Sequence, residues 1–296
     1  MGLRLSKKGT IVVHMILCFV SICAILPIVL IAIGSITDND EIVREGYSFF
    51  PRNVNLDAYS YLLKDFQTIG KAYLITILTT AVGTATGLLI SAMLAYGLSK
   101  PNLKGRKVFS FLVLFTMLFN GGLVPTYLVY TRMFGIKNTL WAQIIPGLLV
   151  NGFYVMLLRS YFSVNIPQEL YESSRIDGAK ETTIFFKICL PLSLPILATV
   201  GLMIGLNYWN SWTNGLYYLT KPNFYNIQNV LNNILLDIRY LQAGFFADMS
   251  SEIIARMPTD SVIMAIAIIG VIPILFIYPF FQKYYVKGIT LGAVKG

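Results

Sequence analysis

The chain has 296 residues, 56% of them hydrophobic and only 12% charged, with a formal net charge of +9. An ordinary soluble domain carries about 25% charged residues, so this chain has too few charges to cover a soluble fold of its size. Its bases do not gather into the clustered basic face that nucleic-acid binding requires.

The first predicted element is an apolar run at roughly 11–36, behind the basic start "MGLRLSKKG". A signal peptide has a shorter apolar region and a small-residue cleavage site. The run is therefore read as an uncleaved span, with His14 as a ring near the membrane interface rather than part of a site. Next, "NLDAYSYLLKDF" at 55–66 sets Leu56, Tyr59, Leu63 and Phe66 at helical spacing. Five more apolar runs follow at roughly 72–98, 108–130, 140–162, 190–212 and 261–281. About 20 apolar residues suffice to cross a bilayer as a helix, and the Gly and Pro of the third and fourth runs are tolerated there. None of the runs alternates as a membrane-barrel strand does. The expected fold class is all-α, a polytopic membrane protein with six transmembrane helices.

Inside these runs, Asn120 and Asn151 fall within the third and fourth spans. Amides there glue helices together or face a pathway. The outer end of the fifth run reads "NYWNSWTNG". Trp and Tyr are enriched at membrane interfaces, while Asn207, Asn210 and Asn214 are costly facing lipid. Flat rings and amides also suit the C–H faces and hydroxyls of a sugar. Asn207, Trp209, Asn210, Trp212 and Asn214 are therefore candidate pathway or gate residues. Further on, Ile227, Val230, Leu231, Ile234, Leu235, Ile238 and Leu241 make one apolar stripe. That pattern fits a helix packed on the span ends, a contact for an external partner, or both.

Charge sets the expected orientation. With residue 1 inside and six spans, the inside segments are 1–10, 99–107, about 159–189 and 282–296. They hold 14 bases and 4 acids, a balance of +10, and the outside segments hold 9 bases and 10 acids, a balance of −1. This is the asymmetry of the positive-inside rule, and it puts both termini in the cytoplasm. Cys18, Cys23 and Cys189 are not spaced for an external disulfide or a metal. No phosphate-cradling loop with a lysine and no nucleophile paired with a base appears, so the chain reads as neither an enzyme nor a complete ATP-driven machine.

One polar segment stands between the fourth and fifth runs. In "NIPQELYESSRIDG", Pro167 suits a first helical position, Glu169 the first turn, Arg175 the last turn and Gly178 the place just past the end. A short helix over 167–177 is predicted, with Gly178 turning the chain and "KETTIFFKICL" starting a second helix. Glu172, Ile176 and Ala179 share a face at helical spacing. On physics alone, a docking surface for a cytoplasmic partner and a helix lying on the headgroups both fit.

The residues Glu172, Ser173, Ser174, Arg175, Ile176, Asp177, Gly178 and Ala179, followed by Phe185, Phe186, Ile188, Pro191, Leu192 and Pro195, resemble the cytoplasmic "EAA" loop of ABC-importer permeases. That signature runs Glu-Ala-Ala-x-x-x-Gly; Ser173 and Ser174 replace its two alanines with other small residues. The length, the six spans and the tail "KGITLGAVKG" are similar to the MalG-like carbohydrate-uptake branch, nearest to permeases of lipoprotein-dependent oligosaccharide and polysaccharide importers. The resemblance implies a MetI-like ABC-importer transmembrane domain in a bacterial plasma membrane. It implies one domain over 1–296: a first span and external segment over 1–70, a five-helix core over about 71–290, a coupling loop at 163–189 and an external loop at 216–258.

It further implies a second permease as heterodimer partner, two cytoplasmic ATPase subunits, and an extracellular or lipid-anchored solute-binding protein that delivers a carbohydrate. ATP and Mg would act in the ATPase, with no cofactor on this chain. Glu172, Ser173, Ser174, Asp177, Gly178 and Ala179 would form the ATPase-coupling surface. The alternatives are an ion-coupled secondary transporter, which needs ionisable residues buried in its spans, and a membrane scaffold without transport.

Overall fold

The computed structural model describes residues 7–242 and 259–293, with side chains described over 9–240 and 259–279. In chain order the helices are α1 (Lys7–Gly34), α2 (Asn39–Glu45), α3 (Asp57–Leu63), α4 (Phe66–Ser99), α5 (Arg106–Leu118) and α6 (Leu123–Leu128), which runs into a π turn at Val129–Met133. Then come α7 (Trp141–Ile144), α8 (Gly152–Asn165), α9 (Gln168–Ile176) and α10 (Glu181–Ile184), the last leading through a π turn at Phe185–Cys189 into α11 (Leu190–Leu192). The chain continues as α12 (Leu194–Trp209), α13 (Thr213–Tyr218), a 3-10 turn at Pro222–Phe224, α14 (Ile227–Gln242) and α15 (Thr259–Ala293). Among the described residues the only extended pairing noted is an isolated bridge between Thr37 and Val54.

Three stretches are long and apolar enough to cross a membrane as single helices: Gly9–Gly34, Phe66–Ser99 and Thr259–Pro279. The other three expected spans are broken, each beside glycine or proline. The third bends by 114° between Leu118 and Leu123. There the Asn120 carboxamide oxygen accepts the Gly122 N–H at 2.9 Å, and Gly122 has φ +85°. The fourth is no single helix. Pro146 and Gly147, at φ +69°, part α7 from α8, and the Asn151 side chain caps α8 by accepting the Phe153 N–H at 2.9 Å. The fifth bends by 84° at Ser193, where Pro195 has no N–H to donate back to the carbonyl of Pro191. Asn120 and Asn151 therefore bond their own backbone at these breaks, and among the described residues neither bonds a neighbouring helix.

The chain divides into two compact units, the described residues of 1–69 with 233–273 and those of 70–232 with 274–296. In the first, Asp38 caps α2 through the Asp40 N–H at 2.9 Å and also accepts Asn55 Nδ2 at 2.8 Å. Asn39 Oδ1 accepts the Asp260 N–H at 2.9 Å, at the start of α15. Helix α3 buries Ala58 and Leu62, whereas Leu56, Leu63 and Phe66 are exposed. The expected stripe of Leu56, Tyr59, Leu63 and Phe66 thus misjudged the inward face. In a seven-residue helix two faces satisfy three-and-four spacing equally, and the small Ala58 fits the closer approach.

The second unit is built on α4, α8 and α12. Ala92, Ala95, Tyr96 and Leu98 of α4 share a core with Tyr154, Val155, Leu158 and Phe162 of α8 and with Val200, Ile204 and Tyr208 of α12. Gly83 lets α4 approach α12, because a Cβ there would overlap the Tyr208 ring. Tyr208 lies only 2% exposed and donates its hydroxyl to the Ile144 carbonyl at 2.8 Å.

At the other end of these helices a buried amide network ties the loops together. Gln143 Nε2 donates to Asn229 Oδ1 at 3.0 Å, Asn229 Nδ2 to the Trp212 carbonyl at 2.5 Å, and Asn226 Nδ2 to the Ser211 carbonyl at 2.6 Å. Thr76 Oγ1 accepts the Ile227 N–H at 2.8 Å, holding the start of α14. The predicted stripe on α14 is present, with Ile227, Val230, Leu231 and Ile238 buried; the Leu241 side chain lies outside the described residues. Residues 243–258 of the expected external loop and 294–296 of the tail also lie outside them. The described part of the tail continues α15 as helix to Ala293.

Candidate functional site

Helix α9 begins one residue later than its sequence predicts. Pro167, at φ −58° and ψ 137°, stands before the helix rather than in its first turn. The helix closes on a Schellman turn: the Gly178 N–H donates to the Arg175 carbonyl at 3.0 Å and the Ala179 N–H to the Ser174 carbonyl at 2.9 Å. Gly178 has φ +80°, the left-handed region that a residue with a Cβ occupies only at a cost. Ser173 and Ser174 return their hydroxyls to the Leu170 carbonyl at 3.3 and 2.6 Å. Small hydroxyl residues therefore fit this helix without reaching outward.

Of the six expected coupling residues, Glu172, Ser173, Asp177 and Gly178 are exposed, while Ser174 and Ala179 are half-buried. Glu172 shares its open face with Ile176, which is 86% exposed; Ala179 instead packs against the core. The helix presents one polar and apolar face outward and anchors itself through Tyr171, which is fully buried.

The anchoring side chains were not legible in the motif. Tyr96 of α4 donates its hydroxyl to Glu181 Oε2 at 2.6 Å, and Arg175 Nε donates to Glu181 Oε1 at 2.8 Å. Lys100 Nζ lies 3.9 Å from Glu181 Oε2, 3.4 Å from the Tyr171 ring centroid and 4.2 Å from that of Tyr96. Burial pulls the Lys100 ammonium down to about 8, against the opposing pull of Glu181. The hydrogen bond from Arg175 to Glu181 keeps that guanidinium above its ordinary value. Tyr96 and Lys100 stand four apart, one helical turn at the end of α4, but only the fold brings Tyr171 and Glu181 to them.

The candidate pathway residues scatter. Asn207 Nδ2 donates to the Tyr154 hydroxyl at 2.8 Å. Asn214 is buried and donates to the Pro146 carbonyl at 3.0 Å. Trp209 is buried beside Tyr73, with ring centroids 6.4 Å apart, and lines an apolar cavity of about 320 Å³ with Thr80, Thr84 and Gly205. Asn210 and Trp212 are exposed. Asn214 is thus part of the structure of the loops, and Asn120 and Asn151 cap and turn the backbone. Of the seven, Trp209 faces the cavity, while Asn207 and Asn210 are exposed on α12 and just past its end.

Apolar helices long enough to span a bilayer, joined through an exposed polar helix on a glycine turn, define an integral membrane protein. Residues 87–291 match the family described as the binding-protein-dependent transport system inner membrane component, and the chain belongs to that family. It is a membrane transport component and not an enzyme. It is 39% identical over 282 residues to the polygalacturonan/rhamnogalacturonan transport system permease protein YtcP of Bacillus subtilis (strain 168), covering 95% of this chain and 96% of that one. It is 36% identical over 272 residues to protein LplC of the same organism, covering 92% and 90%. Among solved structures, a bacterial ABC transporter involved in the import of the acidic polysaccharide alginate matches with a TM-score of 0.78 at 30% identity, covering 96% of this chain and 99% of that one.

Proposed function

We propose that this chain is the transmembrane permease subunit of an ATP-driven ABC importer for a carbohydrate, an oligosaccharide or larger glycan handed over by an external binding protein. The observation that carries the proposal is α9 with its Gly178 turn: a rigid, outward-facing helix held by buried side chains. A rigid element with two positions transmits closure of a partner, and a floppy loop does not. A relative named for polygalacturonan and rhamnogalacturonan transport and a structural neighbour named for alginate import support a glycan as cargo.

In this reading the chain crosses a bacterial plasma membrane six times with both termini in the cytoplasm, the broken third, fourth and fifth segments each counting as one crossing. It works as a single MetI-like domain. Glu172, Ser173, Asp177 and Gly178 meet one of two ATPase subunits, with Ser174 and Ala179 shaping the turn behind them. A second permease completes the pathway. ATP and Mg act in the ATPase, and this chain binds no cofactor. Trp209, with Asn207 and Asn210, borders the route of the sugar.

The test is a pull-down of the soluble ATPase from membranes holding the chain, paired with uptake of a labelled oligogalacturonide. The parent chain retains the ATPase; Glu172→Lys, which reverses the charge on the open face, retains about tenfold less, equivalent to about 1.4 kcal/mol, and loses uptake. A parent chain that holds no ATPase overturns the importer reading in favour of an ion-coupled carrier or a scaffold. Equal retention by Glu172→Lys removes that residue from the docking face.

A further inference from the structure

Lys100 lies one residue past the end of α4, outside the loop that the motif covers. Its Nζ is out of solvent contact and makes no hydrogen bond among the described residues. An ammonium without water is tolerated only where other negative potential replaces its hydration. Two aromatic faces, at 3.4 and 4.2 Å, and the Glu181 carboxylate at 3.9 Å supply it. Each of these belongs to a different element: Tyr171 to α9, Tyr96 to α4 and Glu181 to α10. The two rings also meet edge to face, with centroids 5.9 Å apart. One buried cation therefore touches side chains of α4, α9 and α10, the last two on either side of the Gly178 turn.

The neighbouring ion pair is of another kind. Arg175 and Glu181 keep 43% and 54% of their side-chain surface exposed, so solvent and salt screen them. The Lys100 side chain keeps 12%. Without it, α9 would be joined to α4 through Tyr171 packing and exposed contacts alone, and the glycine turn next to it is the natural hinge.

We propose that Lys100, with Tyr171 and Glu181, is a latch that makes α9 and the end of α4 move as one body, so that closure of the ATPase on α9 reaches α4 and is not absorbed at the Gly178 turn. The proposal rests on the importer reading above. All three are positioning residues; none touches nucleotide or sugar.

The test reads motion inside this chain and needs no knowledge of the sugar. In the assembled importer, with native cysteines replaced, spin labels are attached at positions 104, beyond α4, and 169, in the first turn of α9. Their separation is measured without nucleotide and with the ATPase trapped in its closed state by vanadate. In the parent chain the separation is the same in both states. In Lys100→Met and Tyr171→Leu it shifts or splits only in the trapped state, while Lys100→Arg and Tyr171→Phe, which keep the cation and the ring, behave as the parent. A separation that stays unchanged in Lys100→Met, or that changes equally with and without nucleotide, overturns the latch. Should Lys100→Met not assemble, Glu181→Gln at its exposed site is read by the same criteria. A parent chain that captures no ATPase overturns the importer reading instead, so the two failures are distinct.

Discussion

Gly178 sits at φ +80° with nothing within 4 Å of the place a Cβ would take. The cost of a side chain there is therefore backbone strain alone, about 1 kcal/mol or more for a β-branched residue. Gly178→Val is expected to leave membrane levels near the parent's, since the residue is exposed, and to weaken ATPase retention and uptake together; immunoblots of membranes beside the pull-down check both. Lys100 gives a pH signature. Its ammonium is pulled by burial from 10.5 to about 8 in the folded chain, while the unfolded chain holds the proton to the ordinary value. Between about 8 and 10.5 the unfolded state binds more protons, so stability rises with pH across that window; below it neither state changes. The melting temperature of the detergent-solubilised parent should climb relative to Lys100→Met from pH 8 upward. A difference that stays flat over that range removes the buried ammonium. The glycine was legible from its place after a polar helix. The lysine was not, because Tyr171 and Glu181 are remote from it in sequence and its burial comes from the rings around it.

Helices α4 and α12 approach closely because Gly83 faces the Tyr208 ring. Gly83→Val must push that ring aside and break its hydrogen bond to the Ile144 carbonyl, where small-to-large changes in packed cores cost about 1–3 kcal/mol. Tyr208→Phe keeps the packing and loses the hydrogen bond, which averages about 0.6 kcal/mol in membrane proteins. The first variant should lower the melting temperature in detergent clearly more than the second; the reverse order would mean that the hydrogen bond, not the contact, holds the pair. Apolar length predicted α1, α4 and the apolar part of α15, and amphipathic spacing predicted α14. Breaks in the third, fourth and fifth runs were marked in the sequence by Asn120-Gly121-Gly122, Pro146-Gly147 and Pro191 to Pro195. Composition alone does not tell a tolerated proline from a bend of 84°, because that depends on whether neighbouring groups re-satisfy the freed backbone.

Topology is the property of the assembled chain that charge predicts most directly, with +10 inside and −1 outside. In a chain freed of Cys18, Cys23 and Cys189, a cysteine at position 104 should stay unlabelled by an impermeant maleimide in intact cells, and one at position 223 should react. The opposite pattern would end the model of six spans with the N-terminus inside. The end of the chain offers a second check. Helix α15 runs to Ala293, and its last part carries Lys283 and Lys287 and no further apolar run. Deleting residues 288–296 should leave insertion intact and reduce ATPase retention or uptake; unimpaired transport would show this end to be dispensable.

Read alone, the amino-acid sequence was enough to place the chain in a membrane as helices, to predict an orientation from its charges, and to locate the polar helix of the coupling motif. These follow from local quantities: apolar length, charge balance, and a glycine after a capped helix. What anchors that helix came from packing between segments far apart in the chain. Tyr96, Lys100, Tyr171 and Glu181 meet through the packing of α4, α9 and α10, and Asn214, Asn226 and Asn229 turn out to bind loop carbonyls and each other's neighbours. A side chain's role there depends on which partners enclose it, and that enclosure arises only when segments distant in sequence exclude water from the same space.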